Sequence, residues 1–130
     1  MQTVTRANDI RISTRKVRLI ADAIKNMGVS EALDALSVIE KRGAKSLEKV
    51  LKSAIANAVN NSKLEKNNLV IKAIDVNEGT SLKRYHPSTR GRVHPYKKRS
   101  TNIRIVLEEA SDQTKINEVN EKGVQIANSK

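Results

Sequence analysis

The chain has 130 residues, 25 Lys and Arg against 14 Asp and Glu for a formal charge of +11, and no cysteine. That length suits one domain of ordinary size. The charge asks for a polyanionic partner, nucleic acid or anionic membrane, while the missing thiols exclude disulfides and thiolate metal sites and fit a reducing cytoplasm.

The amino terminus, Met1 to Arg6, lacks the apolar core of a secretory signal. Gln2 to Asn8, with Val4 between Thr3 and Thr5, reads as an edge strand. Ser13 or Thr14 then caps a helix whose apolar positions Val17, Ile20, Ala21 and Ile24 recur at helical spacing, and Gly28 marks its stop. A second cap at Ser30 opens a shorter stripe of Ala32, Leu33, Leu36 and Ile39 that ends before Gly43. The third helix is the longest, from about Ala44 to Asn60, with Leu47, Val50, Leu51, Ala54, Ile55, Ala58 and Val59 on one broad face.

Asn60-Asn61-Ser62 and Asn67-Asn68 bracket a polar connection, after which the period changes to two. Leu69 and Ile71 alternate in one phase and Ile74 and Val76 in the other, so a bulge near Lys72-Ala73 would bury both pairs. Ile103, Ile105 and Leu107 form a second strand whose opposite side carries Asn102 and Arg104, and the two segments make an antiparallel pair. No apolar run approaches the roughly 20 residues that cross a bilayer, which removes the membrane-spanning class. The pattern predicts an α+β fold in which three helices pack on a small antiparallel sheet of about three strands, two of them extended into a long protruding β-hairpin. Residues 1–110 form its single domain and 79–102 the hairpin. Residues 111–130, with scattered Ile116, Val119, Val124 and Ile126, make a polar tail that frays or forms a loose helix.

The charge is local. Between Gly79 and Leu107 lie Lys83, Arg84, Arg90, Arg92, Lys97, Lys98, Arg99 and Arg104, and not one Asp or Glu. Thr80 to Thr101 has almost no apolar content and cannot fold alone, yet it joins two strands that should pair. A two-stranded arm with its tip near Pro87 to Gly91 satisfies both facts. Such a ribbon is marginally stable by itself, so order implies a partner around it. Structured RNA fits: Arg and Lys match phosphate oxygens, Tyr85, His86, His94 and Tyr96 offer stacking surfaces for unpaired bases, and Gly91 lets the main chain approach a surface closely. The alternative is a disordered basic loop with solvated charges. A second basic cluster, Arg11, Arg15, Lys16 and Arg18, opens the first helix, with Arg11, Arg15 and Arg18 on one side if the helical turn reaches that far. Cations there oppose the helix dipole unless an anion such as phosphate lies nearby, and spacing alone weighs a merely solubilising face equally.

Several ordered stretches resemble a known family, the twenty-second protein of the large ribosomal subunit, bacterial type. They are Ile12 to Asp22 (Ile-Ser-Thr-Arg-Lys-Val-Arg-Leu-Ile-Ala-Asp), Val50 to Ala58, Asp75 to Gly79, Leu82-Lys83-Arg84, Arg90-Gly91-Arg92 and Lys98 to Thr101, over roughly residues 5 to 108. The resemblance implies a globular α+β body near the exit of the nascent-peptide tunnel and a long hairpin that penetrates 23S-type ribosomal RNA and lines the tunnel. Carried over by position, it implies RNA contacts by Arg15, Lys16 and Arg18 on the body and by Lys83, Arg84, Arg90 and Arg92 in the hairpin, to which the charge pattern adds Arg11, Lys97, Lys98 and Arg99; the tunnel-facing tip then comprises Tyr85, His86, Pro87, Ser88, Thr89, Arg90, Gly91 and Arg92. Large-subunit RNA, neighbouring large-subunit proteins and the nascent chain are the implied partners, with no membrane, small-molecule substrate, cofactor or metal. Thr80, Ser88-Thr89 and His94-Pro95-Tyr96 depart from the usual pattern of the family, so the resemblance does not carry the detailed tip contacts.

Rival classes have less behind them. For an enzyme, the only imidazoles, His86 and His94, sit in a polar arm with no carboxylate to orient them, and no phosphate loop or metal spacing is present. A DNA-binding helical module would place Glu31, Asp34 and Glu40 against phosphates. An RNA-binding protein outside the ribosome is the remaining alternative.

Overall fold

The computed structural model describes residues 1–25 and 27–109. In chain order it places strand β1 (Gln2–Ile10), helices α1 (Thr14–Ile24), α2 (Val29–Val38) and α3 (Arg42–Ser62), and a 3-10 turn at Lys66–Asn68. Strands β2 (Leu69–Glu78), β3 (Leu82–Pro87), β4 (Val93–Lys98) and β5 (Thr101–Glu109) follow. The expected α+β architecture is therefore present, and the tail expected over 111–130 lies outside the described residues.

The body is a three-stranded antiparallel sheet in the order β1-β5-β2, so the last strand occupies the centre. Its inward residues Ile103, Ile105 and Leu107 are essentially sealed, as alternation predicts. Val106 on the opposite face is buried too, because a central strand is covered from both sides: Val4 and Ala73 are its register partners. In β2 the register slips between Ile71↔Leu107 and Ala73↔Val106, which leaves Lys72 unpaired. This is the bulge that the phase change demanded. It turns Leu69 and Ile71 before it, and Val76 after it, toward the helices. Lys72 Nζ meets a Glu108 carboxylate oxygen at 2.8 Å, and this hydrogen bond, more than any other influence, holds the Glu108 carboxyl below the usual carboxylate range.

Helix α3 covers the sheet with Leu47, Val50, Leu51, Ala54, Ile55 and Ala58, whereas Val59, at the margin of the stripe, stays 40% exposed. Two buried threonines of β1 lie beneath it, and α3 supplies their partners: Asn57 Nδ2 donates to Thr5 Oγ1 at 3.1 Å, and Thr3 and Ser62 share a hydroxyl hydrogen bond at 3.1 Å. Burying those hydroxyls unpaired would cost about 1–3 kcal/mol each. The helix outruns its expected end at Asn60 because Lys63 turns left-handed at φ 52° and the Leu64 amide bonds the Ala58 carbonyl at 3.1 Å. That closure tucks Leu64 into the core.

The helix starts differ from the expected caps. Ser13 occupies the cap position of α1 without a side-chain cap bond. Thr14 instead turns inward to the Thr101 hydroxyl at 3.2 Å, and Thr101 Oγ1 donates to the Ile12 carbonyl at 2.6 Å. The pair fastens the start of β5 to the segment entering α1. Helix α2 begins at Val29, so Ser30 lies inside it; the cap is Gly28, whose carbonyl accepts the Ala32 amide at 2.8 Å.

Lys63→Gly should raise stability by about 0.5–1 kcal/mol in urea denaturation, since glycine adopts the left-handed cap without steric cost. Lys72→Met should return the Glu108 carboxyl toward its ordinary titration range in an NMR pH series, with no change of fold.

Candidate nucleic-acid interface

Beyond Glu78 the chain leaves the sheet. Strands β3 and β4 form their own two-stranded ribbon, registered from Leu82↔Lys98 to Pro87↔Val93. Six residues at about 3.3 Å each carry it about 20 Å from the body, before the tip is added. The hairpin expected over 79–102 thus has its own ladder only over Leu82–Lys98. All its side chains are exposed except Leu82 and Tyr96, which are half-buried.

Register sorts the ribbon into two faces, because directly paired residues point the same way. Arg84, His86, His94, Tyr96 and Lys98 share one face with Leu82; Lys83, Tyr85, Pro87, Val93, Pro95 and Lys97 share the other. His86 and Tyr96 stack with ring centroids 4.3 Å apart. The four rings offered by the sequence are therefore divided, with Tyr85 alone on the reverse side. At the tip the Ser88 amide donates to the Arg92 carbonyl at 2.7 Å, and Arg90 and Gly91 both take positive φ, 60° and 68°. A β-carbon on Gly91 would meet nothing within 4 Å. Glycine there serves the left-handed turn, and Arg90 bears the strain of about 1–2 kcal/mol that its own side chain adds.

The arm is joined to the sheet through a break in both strands, Gly79 to Ser81 on one side and Arg99-Ser100 on the other. The break is pinned at one point. The Gly79 amide donates to the Ser100 carbonyl at 3.0 Å, the Ser100 hydroxyl lies 2.6 Å from the Thr80 carbonyl and 3.3 Å from Asp9 Oδ1, and Asn102 Oδ1 accepts the Asp9 amide at 2.9 Å. Asp9 reaches this position through a positive φ of 55° that interrupts the pairing of β1 between Ala7 and Ile10. A side chain on Gly79 has no room: its β-carbon would stand 2.6 Å from Ser100 Oγ and 2.9 Å from Asn102 Oδ1. Arg99 lies against Glu78 at 3.4 Å across the same break.

The second basic cluster is distributed differently from its sequence spacing. Helix α1 begins at Thr14, so Arg11 precedes it and does not share a helical face with Arg15 and Arg18. Arg15 and Lys16 are exposed on the first turn. Arg18 donates its Nε to the Val76 carbonyl at 3.0 Å, binding α1 to β2, a structural task that its spacing did not disclose. Arg11 instead lines a cleft together with Arg42 at the start of α3. A cleft of about 750 Å³ lies between the segment entering α1, Arg42 and the base of the arm at Leu82, Lys97 and Lys98, and a second hollow of about 540 Å³ adjoins it beside Lys16 and Lys41. Neither α1 nor α3 has an acidic residue in its first turn. The structure thus brings Arg11 to Lys97 and Lys98, and adds Lys41 and Arg42, which a count of charge along the chain passes over. Lys83, Arg84, Arg90 and Arg92 stand farther out on the arm.

Residues 5–108 match the family described as Ribosomal protein L22p/L17e. Among curated proteins the chain is 45% identical over 107 residues to the large ribosomal subunit protein uL22 of Mesoplasma florum, covering 82% of this chain and 96% of that one. It is 44% identical to the protein of the same name from Mycoplasma capricolum, with the same coverage. To that of Pediococcus pentosaceus it is 42% identical over 106 residues, covering 82% of this chain and 90% of that one.

Gly79→Ala should loosen the arm's root at a cost of about 1–3 kcal/mol. Amide hydrogen exchange would read it directly: the amide of residue 79 should lose protection while those of α3 keep theirs.

Proposed function

The chain belongs to the ribosomal protein L22p/L17e family, structural and non-catalytic constituents of the large ribosomal subunit, and on that premise we propose that it binds 23S-type ribosomal RNA, supports its assembly, and lines the nascent-peptide exit tunnel with its arm. The observation that carries the reading is a ribbon with no core of its own, every charged residue of which is basic and nearly every side chain of which is exposed. Free in water such a ribbon has little to hold it. Packed in RNA, each Lys or Arg that neutralises a phosphate releases counterions, and the two faces present rings and aliphatic surface to bases and sugars.

In this reading Lys83, Arg84, Arg90, Arg92, Lys97, Lys98 and Arg99 hold RNA along the arm, and Arg11, Arg15, Lys16 and the terminal nitrogens of Arg18, whose Nε is taken by the Val76 carbonyl, hold it at the body. The tip from Tyr85 to Arg92 reaches the tunnel wall and so meets the nascent polypeptide. Other large-subunit proteins adjoin the body, and the protein works in the cytoplasm within the particle. Residues 1–110 act as one domain with the hairpin as its extension. The DNA-binding alternative has little support, since Glu31, Asp34 and Glu40 are exposed on or beside α2, where they would repel a duplex.

Limited trypsin digestion of the chain, free and bound to a large-subunit RNA fragment, tests the arm: cleavage between Lys83 and Arg99 should slow by about tenfold or more on binding, because proteolysis follows the opened population. Equal cleavage in both conditions would refute an RNA-ordered arm. Arg90→Glu combined with Arg92→Glu should impair subunit assembly or change the passage of nascent chains and tunnel-binding antibiotics. Normal particles with unaltered drug sensitivity would count against the tunnel.

A further inference from the structure

We infer that the cleft where the arm leaves the body is a seat for the sugar-phosphate backbone of structured RNA, and that its occupation sets the direction of the arm. This rests on the RNA-binding reading above and extends it to Arg42 and Lys41, which the sequence did not single out, and to the angle of the arm. Arg11 and Arg42 stand on the body side of the cleft, and Lys97 and Lys98 on the arm side. None of the four enters an ion pair among the described residues. The other charged members of the lining are engaged: Arg99 lies against Glu78, and the lone carboxylate, Asp9, accepts from the Ser100 hydroxyl. Cations gathered in a concavity with apolar walls, here Ile12 and Leu82, focus positive potential more strongly than the same charges on a convex surface. Arginine forks suit phosphate oxygens in particular. The adjoining hollow shares Arg11, Ile12, Ser13 and Arg42 and continues to Lys16 and Lys41, so the cationic lining extends past the first cleft.

The walls belong to two parts of the molecule that are joined only through the broken ladder at Gly79 to Ser81 and Arg99-Ser100. A polyanion held by both walls favours the arm angle at which all four cations reach it, and by linkage an arm already at that angle binds the polyanion more tightly. RNA at the shoulder therefore aims the ribbon.

The experiment uses the full chain and a mixed-sequence RNA duplex of about 16 base pairs, long enough to present successive grooves. Arg11→Gln combined with Arg42→Gln should weaken duplex binding at least about tenfold at low salt and flatten the dependence of log K on log salt by about two units, one for each lost phosphate contact. Because the chain has no cysteine, spin labels at Ser88→Cys and Asp34→Cys report the arm's angle by pulsed dipolar spectroscopy. The distance distribution should narrow when duplex is added, and should not narrow in the Arg11/Arg42 variant, whose thermal melt confirms its fold. Unchanged affinity and salt slope in that variant, or narrowing that persists in it, overturns the inference while the RNA-binding reading stands, provided the wild type binds large-subunit RNA. A wild-type chain that binds neither duplex nor large-subunit RNA removes both.

Discussion

The pairing of β2 with β5 is the constraint on which both halves of the molecule depend. Within the body this ladder centres the sheet under α3 and closes the hydrophobic core with Ile103, Ile105 and Leu107. The same two strands are the only covalent route to the arm, so burial of apolar surface in the body, at about 25 cal/mol per Å², is what holds the ribbon's two roots side by side. The ribbon contributes almost nothing to that burial. The arrangement separates a part that folds by its own hydrophobicity from a part whose residues are left free to answer a partner.

Between the two lies a joint built from polar contacts. Ser100, Asn102 and Asp9 converge on Gly79, and each contact is short range and directional. Such contacts fix where the strands part but leave the ribbon beyond them without a packed neighbour. The cationic cleft beside the joint lies where a polyanion can complete what packing leaves undone. The proposed large-subunit role and the geometry of the shoulder fit together in this respect: if the arm reaches into folding RNA as proposed, an extension without packed neighbours leaves its final direction for the RNA to settle.

Much of this was legible in the residues. The helices followed from apolar recurrence at helical spacing, and the bulge at Lys72 followed from the phase change between Ile71 and Ile74, because a strand buried on one face cannot change phase without an extra residue. The arm followed from a stretch, Thr80 to Thr101, that combined seven cations with no acid and almost no apolar residue. Other features were not legible. Thr14 reads as a capping residue until a distant Thr101 is seen to receive its hydroxyl, and Arg18 reads as a surface cation until the Val76 carbonyl is found beside it. The cleft joins positions 11, 42 and 97, which are neighbours only after β1, α3 and the arm have been assembled. Local pattern reports which face of an element is apolar; it carries no information on which distant side chains meet on the other face.

The distribution of rings has an optical consequence. The chain has two tyrosines and neither tryptophan nor phenylalanine, and both tyrosines, Tyr85 and Tyr96, lie on the ribbon. Near-ultraviolet dichroism and intrinsic emission are therefore blind to the core and sense the extension alone, whereas the far-ultraviolet helical signal comes from the body. Two wavelengths on one sample separate the melting of the two parts without any label.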